Sequence, residues 1–291
     1  MLLPEILVKI LFNLINGLIW ALIMALIALG LSLIFGLMGI VNIAHGEFYM
    51  WGAMLTWFAI AFFKNTLFGI VLTIALLASL GAVLERGVLR TFMGRPTYTV
   101  IATIGISYIL QQVALAIFGG WPQAVPDPIK ISIPIFGVGY PVYRLLLAGI
   151  AIAILVSLLV FLYKTSLGLQ IRAAMQDEEM ASAMGIPVSR IYTITFVIGA
   201  VLAGLGGALA APIVQVFYLM GLDVLAMAFI IVIIGGLGSL RGTILASLIM
   251  CPLENLLTVF ITPTEARVVS LLVMAVVLLF RPQGLFGGAR G

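Results

Sequence analysis

Apolar residues run along this chain in continuous blocks of roughly 17 to 25 positions, separated by short polar or proline-rich stretches. The blocks lack the one-in, one-out alternation of a half-buried strand, which excludes a transmembrane barrel. Only a helix satisfies its own backbone across that length of hydrocarbon, so each block predicts a membrane-crossing helix. The pattern places spans near 12–35, 41–62, 67–85, 98–118, 144–163, 191–211, 222–236, 243–260 and 267–280. Two are weaker than the rest. The segment from Gly36 to Glu47 sets three glycines with Asn42, His45 and Glu47 at apparent membrane depth, which suits a broken or re-entrant helix. The block at 222–236 is short and ends in Gly235-Gly236-Leu237-Gly238-Ser239. The expectation is therefore eight or nine transmembrane helices.

Composition agrees. Of 291 residues, 64% are hydrophobic and 8% are charged, against about 25% charged in soluble domains. So few charges cannot cover the exterior of a soluble fold with this many long apolar helices. The chain reads as an all-α integral membrane protein, one transmembrane domain over 1–291, whose surroundings are the lipid bilayer. A net charge of +4 could suggest nucleic acid, but the Lys and Arg residues are scattered between apolar blocks and form no basic face. One cysteine, Cys251, and one histidine, His45, leave no intrachain disulfide and no His/Cys metal cluster. The N-terminal apolar stretch outruns a signal-peptide core and is read as a retained first helix.

The basic residues orient the chain. Segments 85–96, 164–190, 237–242 and the tail from 281 collect Arg86, Arg90, Arg95, Lys164, Arg172, Arg190, Arg241, Arg281 and Arg290, which is 9 of the 14 positive charges. The positive-inside rule makes that side cytoplasmic, with the C-terminal tail. The opposite side carries the loop 119–143, whose five prolines forbid a continuous helix. It is either a cap or docking surface, or a plain connector.

The cytoplasmic stretch 164–187 is the only polar-rich helix former. From Ile171 to Met184 it holds no Gly or Pro and many alanines, so one helix is expected, stopped by Gly185 and Pro187. Met180 and Met184 lie one turn apart, opposite Glu178 and Ser182. Methionine suits a surface that stays packed while its partner changes shape. On physical grounds alone a docking helix and a helix resting on the membrane are both open.

Glu179-Met180-Ala181 with Gly185 downstream resembles the EAA loop of ABC importer permeases, with Met180 in place of the usual first alanine. Val41-Asn42-Ile43-Ala44-His45-Gly46-Glu47, the run Gly235-Gly236-Leu237-Gly238-Ser239 and the tail Arg281-Pro282-Gln283-Gly284-Leu285-Phe286-Gly287 resemble, in order and spacing, the signatures of LivH-type branched-chain amino acid permeases. The resemblance covers essentially the whole chain. It implies that Gln176, Asp177, Glu178, Glu179, Met180, Ala181, Met184 and Gly185 form a coupling helix seated on an ATPase. It also implies two permease subunits (this chain with a paralogue or a second copy), two ATPases that bind ATP and Mg, and an external substrate-binding protein. This chain itself would carry no cofactor. Substrates would be branched-chain amino acids or, as in close relatives, urea and short amides.

Ionisable groups at membrane depth cost at least about 2.5 kcal/mol each and normally face a cavity, a partner or a pathway. His45, Glu47, Glu85, Asp223 and Glu254 are the candidates. Glu85 is expected to pair or snorkel. Asn42, His45 and Glu47 form either a structural network, a lining of the translocation route, or a proton-coupling site. Asp223, Gly235 and Gly236 are further pathway candidates. The small residues Ala200, Ala203, Gly204, Gly207 and Ala211, at three- and four-residue spacing, predict close helix packing. No phosphate-binding loop or nucleophile-base-acid set is visible. The competing functions are an ion-coupled transporter using Glu47, His45 or Asp223, and an intramembrane enzyme.

Overall fold

A computed structural model describes residues 2–135 and 138–287; Arg290, counted in the orientation argument, lies outside them. The chain forms α1 (Leu2–Met38), α2 (His45–Phe63), α3 (Thr66–Gly87), a 3-10 turn (Leu89–Phe92), α4 (Pro96–Phe118), the strands β1 (Ser132–Ile135) and β2 (Val138–Pro141), α5 (Val142–Lys164), α6 (Ser166–Gln176), α7 (Glu178–Ala183), α8 (Val188–Ala210), α9 (Met220–Gly235), α10 (Leu240–Leu257) and α11 (Pro263–Phe280). All nine apolar blocks are helices. Among the described residues, seven of these helices are long and apolar enough to cross a membrane. The two that are not, α2 and α9, are the two weak blocks.

The centre of the bundle is α1, which packs on α10 and α8, while α8 also carries α2 and α3. From Ala21 to Ile34 nearly every side chain of α1 is buried, as expected of a helix that is apolar all round and surrounded by others. By contrast, α3, α4, α5 and α11 expose most of their apolar surface, the face a lipid-facing helix presents.

The small-residue face of α8 does pack. A Cβ at Gly207 would overlap the Tyr49 carbonyl, and one at Gly52 would overlap the Gly204 carbonyl, so α2 and α8 cross with backbones in contact. Ala200, Ala203 and Ala211 are fully buried.

The loops sort to two ends. At the basic end Arg90 reaches Ser189, the Arg172 and Arg241 guanidiniums lie over the Tyr163 ring at 4.7 and 6.0 Å, and Gly36 meets Met175 and Gly238. At the other end the proline-rich loop folds into the antiparallel β1–β2 hairpin, pairs Gln123 with Val216, and sends Tyr140 to Asn16.

Between Met38 and His45 the chain leaves the helix at the basic end and turns back into the bundle through irregular backbone and a turn at Ile43-Ala44, with Ile40, Asn42 and Ala44 buried. Gly39, at φ +63°, makes that turn. The re-entrant segment is real, and it starts α2 inside protein, where a polar first turn is tolerated.

Candidate functional site

The first turn of α2 is a buried polar knot. His45 Nε2 donates to the Ile27 carbonyl of α1 at 2.9 Å. Glu47 Oε1 accepts from Ser107 Oγ at 2.8 Å and from Gln111 Nε2 at 2.7 Å, both on α4. Thr103 Oγ1 donates to the Val41 carbonyl at 3.4 Å, tying the re-entrant segment to the same helix. Gly46 and Gly221 approach so closely that a Cβ on Gly221 would lie 2.6 Å from the Gly46 carbonyl and 3.1 Å from Glu47 Oε2.

All of Asn42, His45 and Glu47 are fully buried. Among the described residues, both side-chain polar atoms of Asn42, His45 Nδ1 and Glu47 Oε2 have no hydrogen-bond partner. Buried polar atoms are nearly always satisfied. Four orphans within six residues single out this turn.

Ser107 and Gln111 were not identified from sequence, yet a signal was there. Thr99, Thr103, Ser107 and Gln111 recur every fourth residue of an otherwise apolar helix, and all four are buried. That spacing marks one polar stripe facing the re-entrant segment.

The remaining pathway candidates lie elsewhere. Asp223, expected at membrane depth, is exposed at the hairpin end, where its carbonyl accepts from Arg267; the first turn of α9 breaks the surface there. Gly235 packs against Gly242 at the basic end, and Gly236, at φ +97°, abuts Gly287. Close backbone approach accounts for both glycines. Glu254 is paired, its Oε1 2.9 Å from Arg267, with Ser270 donating to Oε2. Glu85 is also paired, but with Arg90 and not with the adjacent Arg86.

A second candidate region stands at the basic end. The single helix expected over Ile171–Met184 is two helices, because Asp177 adopts an extended backbone and its carboxylate accepts from Met180 N at 2.9 Å. An N-cap residue starts a helix and so ends the one before it. The short α7 then closes through Gly185 at φ +83°, with Gly185 N donating to Ser182 O and Ile186 N to Ala181 O, a Schellman ending. Ala181 is buried and anchors the turn. Gln176, Asp177, Glu178, Glu179 and Gly185 are exposed, and Met180 and Met184 are 60% and 77% exposed. Two methionines beside two carboxylates, held rigidly at both ends, make a compact surface for a partner.

Residues 13–280 match the family described as branched-chain amino acid transport system / permease component. The chain is 28% identical over 279 residues to the high-affinity branched-chain amino acid transport system permease protein LivH of Salmonella typhimurium, with 90% of each chain covered. It is 29% identical over 281 residues to the corresponding permease protein BraD of Pseudomonas aeruginosa, again with 90% of each covered. To the permease protein LivM of Salmonella typhimurium it is 28% identical over 289 residues, 89% of this chain and 66% of that one. No solved structure matches. The match takes in the re-entrant turn, the polar stripe and α7 alike, and the chain belongs to the family of permease components of branched-chain amino acid transport systems.

Proposed function

We propose that this chain is a permease subunit of an ATP-driven importer that passes branched-chain amino acids across the cytoplasmic membrane. The observation that carries the reading is α7, a doubly capped helical turn presenting Met180, Met184, Glu178 and Glu179 at the end where the basic loops collect. The positive-inside rule puts that end in the cytoplasm, with the β1–β2 hairpin outside. ATP and Mg bind to two partner ATPases that grip α7. A second permease subunit completes the conduit, and the similarity to LivM supports a related chain in that place. A separate binding protein delivers substrate to the hairpin end.

Transport proceeds by alternating access. ATP-driven movement of the two coupling turns reorients the bundle, and the state that closes one end opens the other. Asn42, His45 and Glu47 line the route at its middle, where orphaned donors and acceptors meet solute or water during the cycle.

Purification of the assembled complex tests the reading. Wild-type chain should bring down ATPase subunits, and Glu179→Arg should lose them while remaining inserted in the membrane. Retention of full assembly by Glu179→Arg and Met180→Asp together would sink the coupling role of α7.

A second reading, an ion-coupled carrier, draws on the unpartnered Oε2 of Glu47. Uptake in vesicles that collapses with a protonophore and ignores ATP would favour it.

A further inference from the structure

At the hairpin end, a cavity of about 220 Å³ opens between α1, α5, α10 and the turn after α8. Ligand pockets for drug-sized molecules run to roughly 300–1,000 Å³, so this one suits a smaller solute. Ile19 and Trp20 of α1 and Ile213 of the turn form its apolar wall, and Asn16, Arg144 and Asn255 are its polar groups.

Arg144 is the unusual member. It is half-buried, its Nη1 donates to Asn16 Oδ1, and it forms no ion pair among the described residues. Arg267, the other partly buried arginine at this end, is matched by Glu254. Beside the apolar wall the polar company of Arg144 is the Asn16 amide oxygen and the Tyr140 phenol, neither of which carries a charge to match the guanidinium. Asn16 Oδ1 is further occupied by the Tyr140 hydroxyl at 2.8 Å, which fixes the amide with its NH2 free to donate. Asn255 has the opposite arrangement. Its NH2 donates to the Cys251 carbonyl at 3.0 Å, leaving Oδ1 as an acceptor.

We propose that this cavity is an entry subsite for an aliphatic α-amino acid. Arg144 and the Asn16 amide hold the carboxylate, Asn255 Oδ1 accepts from the ammonium group, and Ile19, Trp20 and Ile213 enclose the side chain. Charge-assisted hydrogen bonds from a guanidinium fork are the strong, orienting contacts of such a site. The inference rests on the import reading above and deepens it, placing the first contact of substrate with this chain at the end opposite α7. The same anionic chemistry is found on phospholipid headgroups, and the test separates the two sources.

Val214→Cys, at a lining position with no assigned contact to the substrate, supplies a reporter thiol in the complete importer reconstituted in liposomes, since the chain's own Cys251 is buried. Labelling by a membrane-impermeant maleimide is followed with leucine, with leucinamide, and in vesicles of phosphatidylcholine with or without phosphatidylglycerol. Leucine is expected to slow labelling in both lipids, and leucinamide, which lacks the carboxylate, is not. Adding Arg144→Gln should raise the leucine concentration for half-protection by about tenfold or more, as loss of a hydrogen bond to a charged group does, and Arg144→Lys should retain part of the effect. Should Arg144→Gln fail to accumulate, Asn255→Leu serves for the same comparison. Equal protection by leucinamide overturns the proposal, as does protection that follows phosphatidylglycerol and ignores leucine. Leucine uptake without any protection overturns the cavity and leaves the import reading standing, whereas absence of both uptake and protection overturns the two together.

Discussion

Arg90 closes a two-pronged bond onto the fully buried carboxylate of Glu85, with Nε 2.9 Å from Oε1 and Nη2 2.8 Å from Oε2. The same guanidinium donates to Ser189 Oγ, to the Ser189 carbonyl and to Thr193 Oγ1. Thr193 in turn donates to Glu85 Oε2 at 2.8 Å. Ser189 lies a few residues beyond α7, so this cluster bolts the start of α8 to the end of α3.

Removing one partner of such a pair leaves a buried charge uncompensated. Arg90→Ala should cost on the order of 3 kcal/mol, the low end for buried pairs because Arg90 is one-third exposed. Melting in detergent should show the loss, and the double change Glu85→Gln with Arg90→Ala should recover part of it. Additive losses in the double variant would refute the coupling.

The α2–α8 crossing should tolerate no side chain. Gly207→Val and Gly52→Val each place atoms where the partner helix has backbone. Both should abolish the monodisperse peak in size-exclusion chromatography of detergent extracts. Gly149→Val, on α5 with open space around its Cβ, should elute like wild type.

These relationships differ in how far sequence exposes them. Apolar blocks locate helices because lipid and protein interior are both apolar, and for the same reason apolarity cannot tell which helices are central. The α5 helix is among the most apolar and mostly lipid-facing, whereas α8, with its glycines and threonines, is buried. Small residues mark α8 as buried where its mean apolarity does not, while α1 is both apolar all round and central. The re-entrant turn was legible from Gly39, Asn42, His45 and Glu47 because polar residues at depth have few lawful places. The four-residue polar period of α4 is faint in the sequence because threonine and serine are only weakly polar beside the isoleucines and other apolar residues around them. The break at Asp177 was hidden by an unbroken run of helix formers; a capping carboxylate outweighs intrinsic propensities worth a few tenths of a kcal/mol per residue. The Glu85–Arg90 pair spans a helix end, where five-residue spacing carries no regular geometry to read.

The cap of α7 is a separable test. Asp177→Ala removes the acceptor of the Met180 amide and should cost about 1 kcal/mol of local stability. A helix of six residues has little else to hold it. Hydrogen exchange of the Met180 and Ala181 amides should accelerate several-fold, with the core of α1 unchanged. Asp177→Asn, which keeps an acceptor oxygen, should preserve most of the protection. Unchanged exchange in Asp177→Ala would show that contacts of Ala181 alone hold the turn.

Glu47 is where structural and transport roles can be parted. Its Oε1 receives both Ser107 and Gln111, and its Oε2 lies against the Gly46–Gly221 contact with no partner. Glu47→Leu strands two buried donors on α4, each costing about 1–3 kcal/mol, so the protein should melt at clearly lower temperature or fail to accumulate. Glu47→Gln keeps one acceptor oxygen for the same donors and changes the volume little, so the fold should survive with a loss nearer 1 kcal/mol. If the carboxylate only ties α2 to α4, uptake in Glu47→Gln should follow the amount of folded protein. If Glu47 lines the route, uptake per folded complex should fall while ATPase subunits still co-purify. That fall is the expected result, because a carboxylate kept half-bonded at the centre of a helical bundle is costly to hold for packing alone.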